Sequence, residues 1–270
     1  MGLAASSIDL LIRLRQGGFM VTPGAVIEIG AQQLSNEFLR ARGRMEFLGQ
    51  LFGATTKLDL PVPEATTIAG AVEPLPEMAP LARQFWEWLG FQYASIDIDG
   101  SPNSIPLDLN YDTLPDWAQQ KFDVVTNFGT TEHIANQLNA FKIIHDLTAP
   151  GGIMIHAVPA QGLVNHGLLK YNPKWFWMLA RSNDYRWLDL DYTSRGHITD
   201  LPDNVVEAIA SHRPDIAERK AQYKVVDSEL WVTFQKVRDI EFIPPLDVNT
   251  GTKTTNAALI ERYWTVFAPR

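Results

Sequence analysis

The chain has 270 residues, 23 Lys and Arg against 31 Asp and Glu, a net charge of −8 and no cysteine. The missing cysteines exclude disulfides, thiolate metal sites and cysteine nucleophiles, and without a dense Lys/Arg run the chain lacks the electrostatic footprint of a nucleic-acid binder. Hydrophobic residues make up 46% of the chain, enough for a substantial core, and no stretch reaches the roughly 18 consecutive apolar residues of a membrane span, so a cytoplasmic protein with a small-molecule partner is expected.

Residues 1–22 read as a helical segment, with Ile8–Leu14 amphipathic and a break at Gly17 and Gly18. A strand follows over Gly24–Ile29, and Gly30 at its end permits a tight turn and close approach of backbone to a ligand. Ser35 caps a helix expected to run to Phe52. Residues 53–80 carry Pro61, Pro63, Pro74, Pro76 and Pro80, which remove donors and block regular helix. They form an insertion longer than a compact strand–helix connection needs, suited to a lid or to a plain surface excursion. A helix over Leu81–Leu89 brings Phe85, Trp86 and Trp88 onto the sheet. Tyr93–Ile98 is the second strand, with Asp97 near its end and Asp99 as the alternative acid if the register moves by two. A short strand near Ile105–Leu109, a strand over Phe122–Asn127, a helix over Ala135–Leu147 and a strand over Ile153–Val158 complete the regular alternation.

Beyond Pro159 the chain becomes strongly aromatic over about 160–195, with Tyr171, Trp175, Phe176, Trp177, Tyr185, Trp187 and Tyr192. Pro173 suits a first helical turn. Two later strands, Tyr185–Tyr192 and Glu229–Val237, flank a helix around Val205–Ala210, and residues 246–270 read as a polar loop and a closing helix. A domain over 23–245 thus lies between short terminal segments. Strands ending in glycine or acid place a ligand site at the carboxyl edge of an open α/β sheet.

Five segments, in order, resemble the class I S-adenosylmethionine-dependent methyltransferase family. Glu28-Ile29-Gly30 matches the end of its first motif, and Asp97 the acid that holds the ribose. Leu107-Asp108-Leu109-Asn110 is similar to the third motif, whose acid often contacts the adenine amino group. Phe122–Asn127 with Thr131-Glu132-His133-Ile134 resembles the fourth strand and the start of the next helix, and Ala149-Pro150-Gly151-Gly152 the turn into strand five. The resemblance covers about residues 23–160, and more loosely the chain to about 240. It implies a Rossmann-like, seven-stranded, mostly parallel sheet with one antiparallel strand, helices on both faces and insertions. It also implies S-adenosylmethionine as cofactor, contacted by Glu28, Gly30, Ala31, Gln32, Asp97, Asp108, Leu109 and Asn127, with bonds to loop amides as the alternative for Glu28 and a turn start as the alternative for Asp108. The glycine loop departs from the pattern, because Gly30 is followed by Ala31-Gln32-Gln33-Leu34-Ser35 rather than by further glycines. A glutamine amide can replace a backbone contact there. The same departure argues against a nicotinamide enzyme, since Gly-x-Gly-x-x-Gly is absent.

Methyl transfer from a sulfonium is an in-line displacement in which the protein positions donor and acceptor. A hydroxyl acceptor also loses a proton, for which histidine is the usual base. His133 beyond strand four and His166 beyond strand five are the candidate catalytic residues; the alternatives are a helix-capping and a loop-structuring histidine. His156 and His145 read as structural, and Glu132 as pointing elsewhere on the helix that His133 begins. The Trp175–Trp177 cluster is core or a platform for a planar acceptor. Asp189-x-Asp191 stands without a histidine cluster, so no metal site is expected. The function implied is methyl transfer to a small polar acceptor, an O-methylation of a sugar-like or natural-product substrate. The alternative is a non-catalytic binding or scaffold protein that retains the fold.

Overall fold

The computed structural model describes residues 2–58, 60, 81–98, 104–164, 166–199 and 225–267. In chain order the elements are α1 (Ala5–Gln16), β1 (Gly24–Ile29), α2 (Asn36–Arg40), α3 (Arg42–Phe52), α4 (Ala82–Trp88), β2 (Phe91–Ile96), β3 (Ser104–Ile105), β4 (Phe122–Phe128), α5 (Gln137–Leu147), β5 (Thr148–Gln161), α6 (Pro173–Asn183), β6 (Arg186–Thr199), β7 (Val225–Gln235), α7 (Ala257–Arg262) and α8 (Trp264–Phe267). Most of the insertion at 53–80, the acid Asp99 and the helix expected around Val205–Ala210 lie outside the described residues.

The strands form one seven-stranded sheet in the order β3-β2-β1-β4-β5-β7-β6. Pairing is parallel from β3 through β5, and β7 runs antiparallel to both β5 and β6. Successive side chains along each strand alternate between two cores, as a pleated strand requires. Val26, Val124, Phe128, Ile153 and Ile155 face one core together with α1, α3 and α4. Ile27, Ile29, Val125, Met154 and Val158 face the other, which α5 and α6 cover. Burying both faces makes the central strands near-continuous apolar runs, and it leaves the carboxyl ends of β1, β2, β4 and β5 along one edge, where sheets of this kind receive ligands.

Several boundaries differ from the sequence expectation. The helix foreseen over Ser35–Phe52 breaks at Ala41, where ψ is 39°. Gly43 in the following turn weakens the helix there. β3 ends at Ile105 because Pro106 has no N–H to extend the ladder. Leu107–Asn110 instead turns back on itself, with Asp108 Oδ1 accepting from Asn110 N at 2.8 Å. The helix after β4 begins only at Gln137, capped by Asn136, and residues 131–133 form a separate 3-10 turn. The C-terminal segment closes as two short helices rather than one, fastened to α6 by Arg181, whose guanidinium donates to Val248 O at 2.5 Å.

Candidate functional site

The turn after β1 begins at Gly30, whose φ of +82° is in the left-handed region that favours glycine. A Cβ at this position would meet Thr130 Oγ1 at 2.3 Å, so only glycine lets the β4 turn approach β1 so closely. Thr130 Oγ1 donates to Ile29 O at 2.6 Å and fixes this approach. Ala31 N donates to Asp97 Oδ2 at 2.9 Å, which ties the turn to the end of β2. The Gln32 amide folds over Gly30, donating from Nε2 to Gly30 O at 3.2 Å and to Thr130 Oγ1 at 3.3 Å. Its carbonyl oxygen Oε1 is buried and has no hydrogen-bond partner. Leu34, at the position of the family's third glycine, is fully buried in the core.

Gly30, Ala31, Gln32, Asp97 and Thr130 therefore converge at one edge of the sheet. Glu28 does not join them. It points into the helical core, where Trp86 Nε1 donates to it at 2.8 Å, Tyr93 Oη at 2.8 Å and Gln32 N at 3.0 Å. Burial outweighs those donors and raises its pKa to about 7. Asn127 is also fully buried and works within the fold: its Oδ1 accepts from Thr131 N at 3.1 Å, and its Nδ2 donates to Thr131 Oγ1 at 2.8 Å. It shapes the turn that carries Thr130 to His133. Leu109 is core, and Asp108 caps its own loop, which Asn110 and Asn139 latch to the start of α5.

Beyond that turn lies a cluster that brings both candidate histidines together. His166 Nε2 is 3.3 Å and His133 Nε2 3.9 Å from Glu132 Oε1, and the two rings meet edge to face at 5.0 Å between centroids. Glu132 has no exposed surface, whereas the side chains of His133 and His166 retain 48% and 32% of theirs. The second carboxylate oxygen of Glu132 is buried and without a partner. The loop after β5 wraps this glutamate: Leu168 N and Leu169 N donate to its carbonyl oxygen at 2.7 and 3.1 Å. Gly167, at φ +69°, leaves the space its side chain occupies, since a Cβ there would stand 2.7 Å from Glu132 Cγ. Lys170 Nζ donates to the His166 carbonyl oxygen. Burial pulls the His133 imidazole below its ordinary pKa, an effect that Glu132 opposes and that His166 and Lys170 reinforce.

Glu132 is the residue that sequence reasoning missed. On a helix it is expected to point away from His133, but residues 131–133 form a tighter 3-10 turn, in which Glu132 is buried against His166. No periodicity in the sequence marks it. His156 and His145 are buried and structural, with pKa values lowered by burial to about 3 and about 4. His145 bridges Tyr185 Oη and Ile240 O. Trp175 packs against Phe141 while Trp177 stacks loosely on Trp187 at the surface, so the aromatic cluster divides between core and exterior.

The chain is similar to several solved structures. One is a 1,6-didemethyltoxoflavin N1-methyltransferase of Burkholderia thailandensis with bound 1,6-didemethyltoxoflavin and S-adenosylhomocysteine, at 12% identity and TM-score 0.42 over 87% of this chain and 78% of that one. Another is an S-adenosylmethionine-dependent methyltransferase of Archaeoglobus fulgidus, at 12% identity and TM-score 0.41 over 84% and 93%. A third is phosphoethanolamine N-methyltransferase 2 of Haemonchus contortus in complex with S-adenosylmethionine, at 13% identity and TM-score 0.43 over 85% and 52%. No curated protein matches the chain. A model of the family described as methyltransferase domain matches residues 53–201, from just after α3 through β2, β4, β5 and β6. That span is more than half of the sequence, and the chain belongs to the methyltransferase domain family, in the class I, S-adenosylmethionine-dependent group.

Proposed function

We propose that this protein transfers a methyl group from S-adenosylmethionine to a hydroxyl of a small polar acceptor, sugar-like or natural-product in kind. The observation that carries this reading is the pairing of a partly exposed imidazole, His166, with the fully buried carboxylate of Glu132. When bound, the cofactor supplies an electrophilic methyl on a sulfonium.

The residues present fit that group. Asp97 at the end of β2 would hold the ribose, with Gly30 and Ala31 beneath it. The orphaned Gln32 Oε1 offers a side-chain acceptor where a glycine-rich loop would offer backbone groups alone, and an ammonium of the methionine part would satisfy it. A buried oxygen left without a donor costs about 1–3 kcal/mol, which a bound donor would recover.

On the acceptor side, a proton on His166 Nε2 donates to Glu132, which leaves Nδ1 as the basic nitrogen. An acceptor hydroxyl would pass its proton to that nitrogen, and Glu132 would offset the charge that develops on the ring. His133, neutral at neutral pH, lines the same opening and orients the acceptor.

The test is transfer of labelled methyl from S-adenosylmethionine across a panel of polyhydroxylated acceptors, compared with amine and carboxylate acceptors. Labelling of hydroxyls supports the reading, and labelling of amines alone overturns the O-methyl assignment. One observation favours the scaffold alternative: Gln32 and Thr130 already occupy the space over Gly30. Tight binding of S-adenosylhomocysteine with no transfer to any acceptor would support it.

A further inference from the structure

We propose that Glu132, His133 and His166 form a binding site for one divalent transition-metal ion of the zinc type. One donor atom from each residue, the carboxylate oxygen and a ring nitrogen of each histidine, lies within 4.8 Å of the other two. Zinc sits about 2.0–2.2 Å from nitrogen and carboxylate ligands. The Glu132 contacts of 3.3 and 3.9 Å are of the order that two ligands of one such ion keep, and His133, at the longer distance, is the more exposed ring.

Two imidazoles and one carboxylate are a donor set that borderline metals accept, and three protein ligands leave a further position open. Both histidines are partly exposed, so water or an acceptor oxygen would have access to that position. The second oxygen of Glu132, Oε2, is buried and without a partner beside the Oε1 that both histidines approach, and a carboxylate that holds the ion through both oxygens would satisfy it. A desolvated carboxylate oxygen with neither donor nor cation is rare in folded proteins. The surrounding loop is built to hold the carboxylate: Gly167 makes room for it and the Leu168 and Leu169 amides fix its backbone. Lys170, the neighbouring cation, is drawn aside to the His166 carbonyl oxygen. Nothing in the sequence suggested a metal because Glu132 and His166 are 34 positions apart.

Metal binding does not need methyl transfer, and only the role of the open position rests on that reading; an ion on His166 Nε2 would take the place of the proton shared with Glu132. The experiment uses the whole, untagged chain, stripped with a chelator and dialysed, then titrated calorimetrically with zinc chloride in the absence of cofactor and acceptor. One ion per chain is expected, with affinity falling at least tenfold in both His133→Ala and His166→Ala. Both side chains reach the surface, so these variants keep the fold, which circular dichroism checks. Glu132→Gln serves as a third variant and weakens binding likewise. No zinc binding by the unaltered chain, or binding that both histidine variants leave unchanged, would overturn the site. Neither result would touch the assignment of the cofactor, which rests on the β1 turn and Asp97.

Discussion

His166 Nε2 stands 3.3 Å from Oε1 of Glu132, a carboxylate with no exposed surface, and this contact joins the loop after β5 to the turn after β4. The two segments meet because Gly167 lets the loop lie directly on the glutamate side chain. If His166 takes the acceptor's proton, His166→Ala lowers kcat by about 100-fold, the lower end of general-base contributions. S-Adenosylhomocysteine affinity stays unchanged. A loop-structuring histidine would give the opposite pattern, with lost stability and a largely intact kcat per folded molecule. Steady-state kinetics beside a thermal melt separate the two.

Gly30→Ala places a methyl 2.3 Å from Thr130 Oγ1 in a backbone conformation with φ +82°. Strain of this kind costs about 1–3 kcal/mol, and the displaced Thr130 releases its bond to Ile29 O. Chemical denaturation should show that loss together with weakened S-adenosylhomocysteine binding. Full stability and full binding in the alanine variant would mean that the turn is not as tight as its geometry indicates.

Gln32→Gly restores the glycine found in related loops and removes the amide that lies over Gly30. If Gln32 Oε1 receives the ammonium of the cofactor, affinity for S-adenosylhomocysteine falls about tenfold, the value of one hydrogen bond to a charged group. Binding that appears only in the glycine variant would identify Gln32 as a plug and favour the scaffold alternative.

Glu28 makes folding stability depend on pH. Its folded pKa is raised by burial from 4.5 to about 7, so the folded state holds the proton more tightly than the unfolded chain. The resulting stability is fully present below about pH 4.5 and is lost as pH rises through 7, by at most about 3 kcal/mol. His156, lowered by burial to about 3, acts in the opposite sense: its contribution is present above pH 6.5 and is lost as pH falls toward 3. Glu28→Gln should therefore flatten the stability profile between pH 4.5 and 7. An unchanged slope in urea denaturation would mean that Glu28 is ionised in the folded protein.

The sheet was largely legible because its information is local. Val26–Gly30, Phe122–Asn127 and Ile153–Val158 are apolar runs bounded by glycine, proline or acid, and each forms a central strand. Asp97 was legible for the same reason, as an acid at a strand end, and its carboxylate does meet the β1 turn. Glu28 and Asn127 show the limit of such reading. Each sits in the expected register, yet partners from distant elements, Trp86 and Tyr93 for one and His156 for the other, help to hold it within the fold. Glu132 was hidden because a three-residue 3-10 turn and an α-helix start share the same residues but aim them differently. His133 and His166 were each singled out, but their meeting across one buried carboxylate depends on the loop after β5 and has no local signature.

The central claim is that the β1 turn and Asp97 hold S-adenosylmethionine, and calorimetric titration of the purified chain with S-adenosylhomocysteine tests it most directly, run in parallel on Asp97→Asn. The account predicts binding at one site, weakened at least tenfold, about 1.4 kcal/mol, by the substitution. No binding to the unaltered chain, or binding that Asp97→Asn leaves intact, would contradict it.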